Sequence, residues 1–216
     1  MKHKTPMNII DNLEWRYACK KFDTSKKLSR EQVEALKKAF NLTPTSYGLQ
    51  PLKMLVIESE DIKKSLFPFA YYQAQVTTCS HLFILCIDTG FGADSVDAKF
   101  DLEKQIRGTS EEIIEKFRGQ LKTIYQKKSA EQLEKESTYQ AYIALGNLMT
   151  VCAELRIDSC PMEGFIPSKV DEVLRLEEKN LKSVLMLPVG FRSEEDPTNG
   201  LKKVRKPLAE VIIDLH

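Results

Sequence analysis

The sequence predicts a single domain in which α-helices and β-strands are mixed. Strand-like apolar runs and segments with helical periodicity are interspersed along the chain, which favours one layered core. The length of 216 residues suits one substantial domain. No internal repeat, low-complexity segment or linker-like change of composition divides residues 1–216.

The first part of the chain is predicted to form two helices and a polar loop. Apolar positions recur at helical spacing from Asn8 to about Ala18. Ser29 to Gln32 form a capping-box pattern, and apolar residues from Val33 to Phe40 then continue at helical spacing. The loop from Thr43 to Gly48 ends this second helix, because proline and glycine interrupt helices.

Three apolar segments are predicted strands, and a fourth is predicted near the end of the chain. The segment Ser80–Asp88 is apolar enough to lie at the centre of a sheet. Lys53–Glu58 and Val184–Gly190 are the other two apolar strands, and Glu210–Ile213 is predicted as a short closing strand.

Two long helical segments are predicted between these strands. Residues Ser95–Lys128 have a highly charged helical pattern, with Gly108 and Gly119 as weak points, and part of it is predicted to be a mobile excursion over a pocket. The segment Ala130–Leu155 becomes almost wholly apolar after Tyr139. A helix that is apolar on every side must be buried all round, in a core or against a second subunit.

Charge and composition exclude several classes of function. The net charge of +1 creates no field that would steer the protein toward nucleic acid or an anionic membrane. No apolar run approaches the ~20 residues of a membrane helix, and no apolar core follows the N-terminal residues as in a signal peptide. The five cysteines lack CxxC spacing, so the sequence predicts a cytoplasmic protein with reduced thiols.

The chain has few side chains suited to acid–base or metal chemistry. With three histidines a His-rich metal site is excluded, and a Ser-His-Asp or Cys-His mechanism would have to use His81. His81 lies in an apolar strand pattern and is interpreted as structural. The segment Gly90–Ala93 lacks the third glycine of a dinucleotide fingerprint. The chemistry is therefore expected to come from a cofactor.

Two basic clusters and a glycine turn lie far apart in the sequence. Arg16 and Lys20 stand four residues apart at the end of the first predicted helix, so both could project to one side. Lys203 and Arg205 lie near the other end of the chain, and Pro161–Gly164 follows the long apolar helix. Each has a simple structural interpretation: a basic helix end, a surface charge run and a helix-to-loop turn.

Taken in order along the chain, several stretches resemble the nitroreductase family. They are Arg16–Asp23, Thr43–Pro51, Gln73–Cys86, Tyr139–Met149, Pro161–Phe165, and Leu187–Asp196 with Leu201–Pro207. The resemblance implies an α+β, nitroreductase-like fold with a central, mostly antiparallel sheet flanked by helices. It also implies a homodimer that exchanges C-terminal segments and holds two FMN molecules at the subunit interface.

The resemblance further implies an activity. NADH or NADPH would pass a hydride to N5 of the flavin and leave, and a small-molecule acceptor such as a nitroaromatic or quinone would then take the electrons at the same site. No side chain is expected to act as a catalytic group and no metal is expected. Lys20 would lie near N1 and the C2 carbonyl, where a fixed cation stabilises the reduced flavin.

The resemblance assigns most of the cofactor site. Arg16, Lys203 and Arg205 would hold the FMN phosphate, which suits guanidinium and ammonium groups. Pro161 to Gly164 would wrap the ring, with a backbone N–H of Glu163 or Gly164 at N5. The complete set of cofactor residues comprises Arg16, Tyr17, Ala18, Lys20, Thr45, Ser46, Gly48, Tyr72, Gln75, Gln140, Pro161, Met162, Glu163, Gly164, Lys203 and Arg205.

Three of these positions depart from the family pattern. Gly48 stands where relatives often have asparagine, and Tyr72 stands where they place an asparagine on the pyrimidine edge. Gln75 replaces a second lysine found in some relatives, which predicts a lower flavin potential than in those relatives. On the substrate side, Tyr125 or Phe117 would cover the exposed face of the flavin, or would instead be hydrophobic surface anchors.

Two other functions remain open on the sequence alone. One is a specialised reductase of a single metabolite, of the pteridine or enone type. The other is a flavin-binding or sensing protein with little turnover, which the departures at Tyr72 and Gln75 would favour.

Overall fold

A four-stranded antiparallel sheet forms the centre of the protein. The structure, a computed structural model, describes residues 9–215. The strands are β1 (Leu52–Ile57), β2 (His81–Asp88), β3 (Asp158–Ser159) and β4 (Leu181–Gly190), and their order in the sheet is β1-β2-β4-β3. All three neighbouring pairs are antiparallel, so the predicted sheet and the central position of β2 are confirmed.

Helices alternate with these strands along the chain. They are α1 (Ile9–Trp15), α2 (Arg30–Asn41), α3 (Glu60–Leu66), α4 (Gln75–Thr78), α5 (Ala93–Arg107), α6 (Glu111–Gln126), α7 (Ala130–Glu154), α8 (Pro167–Leu174) and α9 (Leu208–Val211). Within residues 9–215, none of the helices combines the length and the apolarity needed to cross a bilayer.

Both faces of the sheet are buried, which explains why β2 is apolar throughout. Its odd-numbered residues from Phe83 to Ile87 pack with α2 and α7 in one core. Its even-numbered residues from Leu82 to Cys86 pack with Leu66 of α3, Val76 of α4 and Val170 of α8 in the other. Successive side chains of a strand point to opposite faces, so one strand serves both cores.

The first helix ends earlier than predicted. The helix α1 ends one residue before Arg16, and Asn8, the predicted start, lies outside the described residues. The chain is then extended, and Ala18 pairs with Ser159 of β3. The prediction that Arg16 and Lys20 share a helix end is therefore wrong. Both residues nevertheless line the same pocket.

The charged segment after β2 forms two helices with a core of their own. Gly108 adopts a φ of +67° and ends α5, so this predicted weak point is confirmed. Gly119 lies inside α6, and the helix continues through it. Phe100 and Leu121 are buried between the two helices in a cluster separate from the cores of the sheet.

The predicted closing strand at Glu210–Ile213 is wrong. Residues 208–211 form the short helix α9, and residues 201–215 are exposed along their whole length. A strand requires a neighbour with which to form hydrogen bonds. Within residues 9–215 the chain places no strand beside this segment.

The helix α7 is buried on one side only within a single chain. Ala144 and Leu148 are fully buried against the sheet, whereas Tyr139 and Ile143 are 54% and 47% exposed. The all-round apolar pattern therefore leaves one face of α7 open to a further partner.

Candidate functional site

A cleft of about 450 Å³ lies beside β3, where the N-terminal and C-terminal segments meet. Residues 14–18 with Lys20 form one wall, and residues 198–205 contribute most of the other. The backbone N–H of Cys19 donates to the carbonyl of Ser159 at 3.2 Å. This pairing brings the N-terminal segment to the strand that leads directly into Pro161–Gly164.

Three cations converge on the cleft. The ammonium group of Lys203 donates to the backbone carbonyl of Arg16. Burial and the charge of Arg205 lower the pKa of Arg16, and burial followed by the charges of Arg16 and Arg205 lowers the pKa of Lys203. Burial is the larger cause of both shifts, and repulsion from the neighbouring positive charges adds to it. An anion placed among them would relieve this repulsion.

An orphaned donor of Arg16 supports a phosphate ligand. Its Nε is shielded from solvent and meets no hydrogen-bond acceptor among residues 9–215. A buried guanidinium N–H without an acceptor is costly, whereas phosphate oxygens accept bonds from such a fork in pairs. The donors present therefore fit a phosphate group.

Asp196 joins the two segments that form the cleft. Its carboxylate accepts hydrogen bonds from the backbone N–H groups of Lys20 at 2.6 Å, Lys21 at 2.7 Å and Thr198 at 2.7 Å. Burial alone would raise the pKa of Asp196, but hydrogen bonds from Thr198, Lys21 and Lys20 outweigh burial and hold it at about 2. The role of Asp196 was not predicted from the sequence, because most of its partners are backbone groups or lie far away in the chain.

Arg192 is a further cleft residue that sequence analysis missed. Its guanidinium lies 4.3 Å from the ring centre of Trp15 and 4.5 Å from that of Tyr17. It also pairs with the carboxylate of Asp158 at 2.5 Å. The only signal in the sequence was a basic residue shortly after the third predicted strand. The stacking holds the segment before Ala18 in place. Tyr17 and Ala18 both line the cleft.

The glycine turn lies next to Lys20. The Lys20 ammonium is 3.5 Å from the sulfur of Cys160, which is directly followed by the turn. Met162 buries its side chain, and its backbone N–H and carbonyl both bond to Met186 of β4, which anchors the turn to the sheet. The two residues after Met162 are exposed, and half-buried Pro161 precedes it.

Thr45, Ser46, Gly48 and Gln140 form a second group. The backbone N–H of Ser46 donates to the side-chain oxygen of Gln140 at 2.9 Å. Gly48 has a φ of +68°, a backbone region that glycine and asparagine adopt most readily. Glycine thus meets the backbone requirement of this position without supplying an amide. Among the described residues, no hydrogen bond joins this group to the cleft.

Tyr72 lies in a loop that borders the glycine turn, and Gln75 is the first residue of α4, which follows this loop. Tyr72 is 69% exposed, has a φ of 54° and packs edge-on against Phe67 at 5.4 Å. A bulky residue with positive φ is strained. Gln75 is buried and donates to the side-chain oxygen of Gln73 at 3.0 Å.

The two aromatic candidates for the substrate side differ in exposure. Tyr125 is 5% exposed and packs edge-on against Phe91 at 5.5 Å. Phe117 is 45% exposed and lies 6.1 Å from the ring of Tyr47. Phe117 is therefore the more accessible of the two rings.

The fold and the cleft define an α+β domain whose converging cations suit a phosphorylated ligand. The model of the nitroreductase family matches residues 13–191. A protein of Staphylococcus haemolyticus, provisionally named an NAD(P)H nitroreductase, is 34% identical over 94% of this chain and 95% of its own length. The chain belongs to the nitroreductase family, which is a family of oxidoreductases.

Solved structures share the fold. A provisionally named nitroreductase from Exiguobacterium sibiricum, solved in complex with FMN, matches with a TM-score of 0.84, 22% identity and coverage of 98% of this chain and 99% of its own. CLA-ER, an enone reductase of gut-bacterial fatty acid saturation, matches with a TM-score of 0.80, 17% identity and coverage of 98% and 100%.

Proposed function

We propose that this protein is an FMN-dependent NAD(P)H oxidoreductase that reduces nitroaromatics, quinones or similar acceptors. The observation that carries the proposal is the convergence of Arg16, Lys203 and Arg205 beside Lys20 and the glycine turn. Family membership supports it, as do the NAD(P)H nitroreductase name of the staphylococcal relative and the FMN complex of the Exiguobacterium protein.

Each part of the cleft has a role in this proposal. Arg16, Lys203 and Arg205 bind the FMN phosphate, and the ammonium of Lys20 favours the extra negative charge of the reduced ring. When bound, FMN supplies hydride transfer at N5 between NADH or NADPH and the acceptor. The backbone of Glu163 and Gly164 would offer N–H groups to N5 of the bound ring. Protons come from solvent, because the cleft is open.

We also propose that the active unit is a homodimer that exchanges C-terminal segments. Leu208, Ile213 and Leu215 are 77%, 86% and 92% exposed in the single chain, and an apolar face of α7 is open as well. Strand β1 pairs with β2 on one side and is an edge of the sheet. In such a dimer, Thr45–Gly48 and Gln140 of one chain complete the site of the other. The buried, reduced cysteines suit a cytoplasmic location.

The cofactor is tested by the absorbance spectrum of the purified protein and by anaerobic mixing with NADPH. Wild type should show bound flavin, and NADPH should bleach it within seconds. Arg205→Met should weaken FMN binding at least tenfold, because it removes a hydrogen bond to a charged group. Lys206→Met, in the same charge run but outside the cleft, should bind FMN like wild type. Failure of wild type to bind FMN would overturn the proposal.

A specialised enone reductase is the second candidate, and the structural likeness to CLA-ER favours it. A panel of nitroaromatic, quinone, pteridine and enone acceptors separates a generalist from a specialist. A flavoprotein without turnover would retain its colour when mixed with NADPH.

A further inference from the structure

A chain of side-chain amides leads from the core to the glycine turn. The amide nitrogen of Gln73 donates to the carbonyl of Gly164 at 2.7 Å and to the carbonyl of Ala70 at 3.1 Å. The side-chain oxygen of Gln73 accepts a hydrogen bond from the amide of Gln75 at 3.0 Å. Gln75 is 3% exposed, so the chain begins among buried residues.

These partners determine the orientation of the Gln73 amide. Backbone carbonyls only accept hydrogen bonds, so the atom that faces Gly164 and Ala70 must be the NH2 group. The oxygen of Gln73 then faces Gln75 and needs a donor, which the amide of Gln75 provides. Gln75 thereby stabilises the one orientation in which Gln73 can bond to the turn.

Hydrogen bonds to the carbonyl oxygens hold three successive peptide groups of the turn. The carbonyl of Met162 accepts from the backbone N–H of Met186 at 3.0 Å, and the carbonyl of Glu163 accepts from that of Phe165 at 2.9 Å. The carbonyl of Gly164 is bonded by Gln73, the only side chain among these donors. A carbonyl shares its planar trans peptide with the N–H of the next residue, and the two point in opposite directions. The bonds to Met162 and Glu163 therefore direct the N–H groups of Glu163 and Gly164. The bond from Gln73 directs the N–H of Phe165, which is the donor to Glu163.

The N–H groups that result are available to a ligand. Within the described chain, neither the N–H of Glu163 nor that of Gly164 donates to a protein acceptor, and both residues are exposed. A side chain at position 164 would also crowd the amide, because a Cβ there would lie 3.1 Å from the nitrogen of Gln73. A residue with a side chain at this position would therefore require the Gln73 amide to shift by a few tenths of an ångström.

We propose that Gln73, oriented by Gln75, is a positioning residue for the flavin. It holds the peptide that joins Gly164 to Phe165, whose N–H donates to the carbonyl of Glu163. The peptide between Glu163 and Gly164 is fixed in turn, so the N–H of Gly164 keeps a constant direction toward N5. This inference rests on the proposed function, since it assumes that FMN occupies the site. It gives Gln75 a role through Gln73 in place of direct charge compensation.

The two redox states of FMN should respond differently when the turn is loosened. N5 of oxidised flavin accepts a hydrogen bond, whereas N5 of reduced flavin carries a hydrogen and gains less from a facing N–H. Loosening the turn should therefore weaken binding of oxidised FMN more than binding of reduced FMN. The ratio of the two dissociation constants, oxidised to reduced, should rise about fivefold, the equivalent of one ordinary hydrogen bond. For a two-electron couple this raises the potential by about 20 mV.

The experiment measures the potential and the FMN affinity of Gln73→Met, Gln75→Met and the double variant. Methionine keeps the approximate length of glutamine and removes the amide. Gln105→Met, at an exposed glutamine of α5, is the matched control. Thermal unfolding of each apoprotein separates a general loss of stability from a change at the cofactor. If Gln73→Met does not fold, Gln75→Met still tests the inference, because it removes the hydrogen bond that orients Gln73.

The predicted result is a higher potential for both single variants, an unchanged potential for the control, and a double variant no further shifted than Gln73→Met. The double variant should shift no further because Gln75 acts through Gln73. Variants that lower the unfolding temperature of the apoprotein but leave the potential at the wild-type value would overturn the inference. If wild type itself binds no FMN, the proposed function fails first, so the two failures are distinguishable.

Discussion

Tyr71 and Tyr72 both adopt left-handed backbone, with φ of 53° and 54°. This region costs an ordinary residue about 1–2 kcal/mol, whereas asparagine tolerates it because its short side chain can form local hydrogen bonds. The family resemblance places an asparagine at position 72. The backbone at Tyr72 therefore has a conformation that asparagine would adopt at lower cost than tyrosine.

The change Tyr72→Asn should therefore strengthen FMN binding. An amide at position 72 would add a hydrogen bond at the pyrimidine edge and increase affinity about fivefold, as measured by fluorescence titration. Tyr71→Asn is the matched control, because it relieves the same backbone strain one residue earlier. Equal gains in affinity for both variants would contradict a contact between position 72 and the flavin.

Lys20 is expected to set the flavin potential. Since Gln75 stands where some relatives have a second lysine, Lys20 is the cation that the proposed site offers to the reduced ring. Lys20→Met should lower the potential by about 30 mV or more, which corresponds to a tenfold change in the ratio of the dissociation constants. A redox titration of wild type should also give a lower potential than in two-lysine relatives.

Lys21→Met provides the control for Lys20. Lys21 is adjacent in sequence but pairs with Glu195 at the surface, so its removal should leave the potential unchanged. A Lys20 variant with the wild-type potential would show that its ammonium does not act on the ring.

Asp196 should make folding stability depend on acid pH. Its pKa of about 2 lies below the value of about 3.9 in an unfolded chain. The carboxylate therefore stabilises the folded state above about pH 4, and this contribution is lost as the pH falls from 4 toward 2. Asp196→Asn should cost about 2 kcal/mol of unfolding free energy at pH 7, and the difference from wild type should shrink across that window.

Denaturant unfolding at pH 7, 4 and 3 measures this effect. Glu195→Gln, at the exposed neighbouring position, should cost little at any of these values. A constant difference between wild type and Asp196→Asn over the whole range would show that the carboxylate charge is not what stabilises the fold.

At the scale of elements, helices with strong local signals could be predicted from the sequence. The helix α2 begins after Ser29, and α7 begins after Ser129. Both have the reciprocal capping box in which serine bonds to the glutamine three residues later. The short helices α3, α4 and α8 were not predicted, because helices of four to eight residues depend on tertiary packing rather than on local sequence.

The α5–α6 pair gives a prediction for the substrate. Phe117 is half-exposed on α6, one side of its ring packing edge-on against Phe100 at 5.8 Å. Phe117→Ala should raise the KM for a nitroaromatic acceptor about fivefold through loss of ring stacking, with a smaller effect on kcat. Ile113→Ala, one turn earlier and 72% exposed, should leave KM unchanged. A fall in thermal stability without a change in KM would favour the surface-anchor interpretation.

At the scale of the whole molecule, the sequence predicted the parts of the site better than their arrangement. Arg16, Lys203 and Arg205 do come together, because β3 and Asp196 bring distant segments side by side. The loop at Ser46 bonds to Gln140 instead of joining that cleft. One chain therefore holds the proposed site residues in two separate groups, an arrangement that the proposed homodimer would explain.

Mixed dimers test whether two chains share each site. One chain carries Arg16→Met with Arg205→Met, and the other carries Thr45→Ala with Gln140→Ala. In a dimer of these two chains, one site has both defects and the other has none, so FMN binding should recover to about half the wild-type amount per dimer. If each chain formed its own complete site, both sites of the mixed dimer would be defective. FMN content would then equal the mean of the two variant homodimers, and the shared-site arrangement would be excluded.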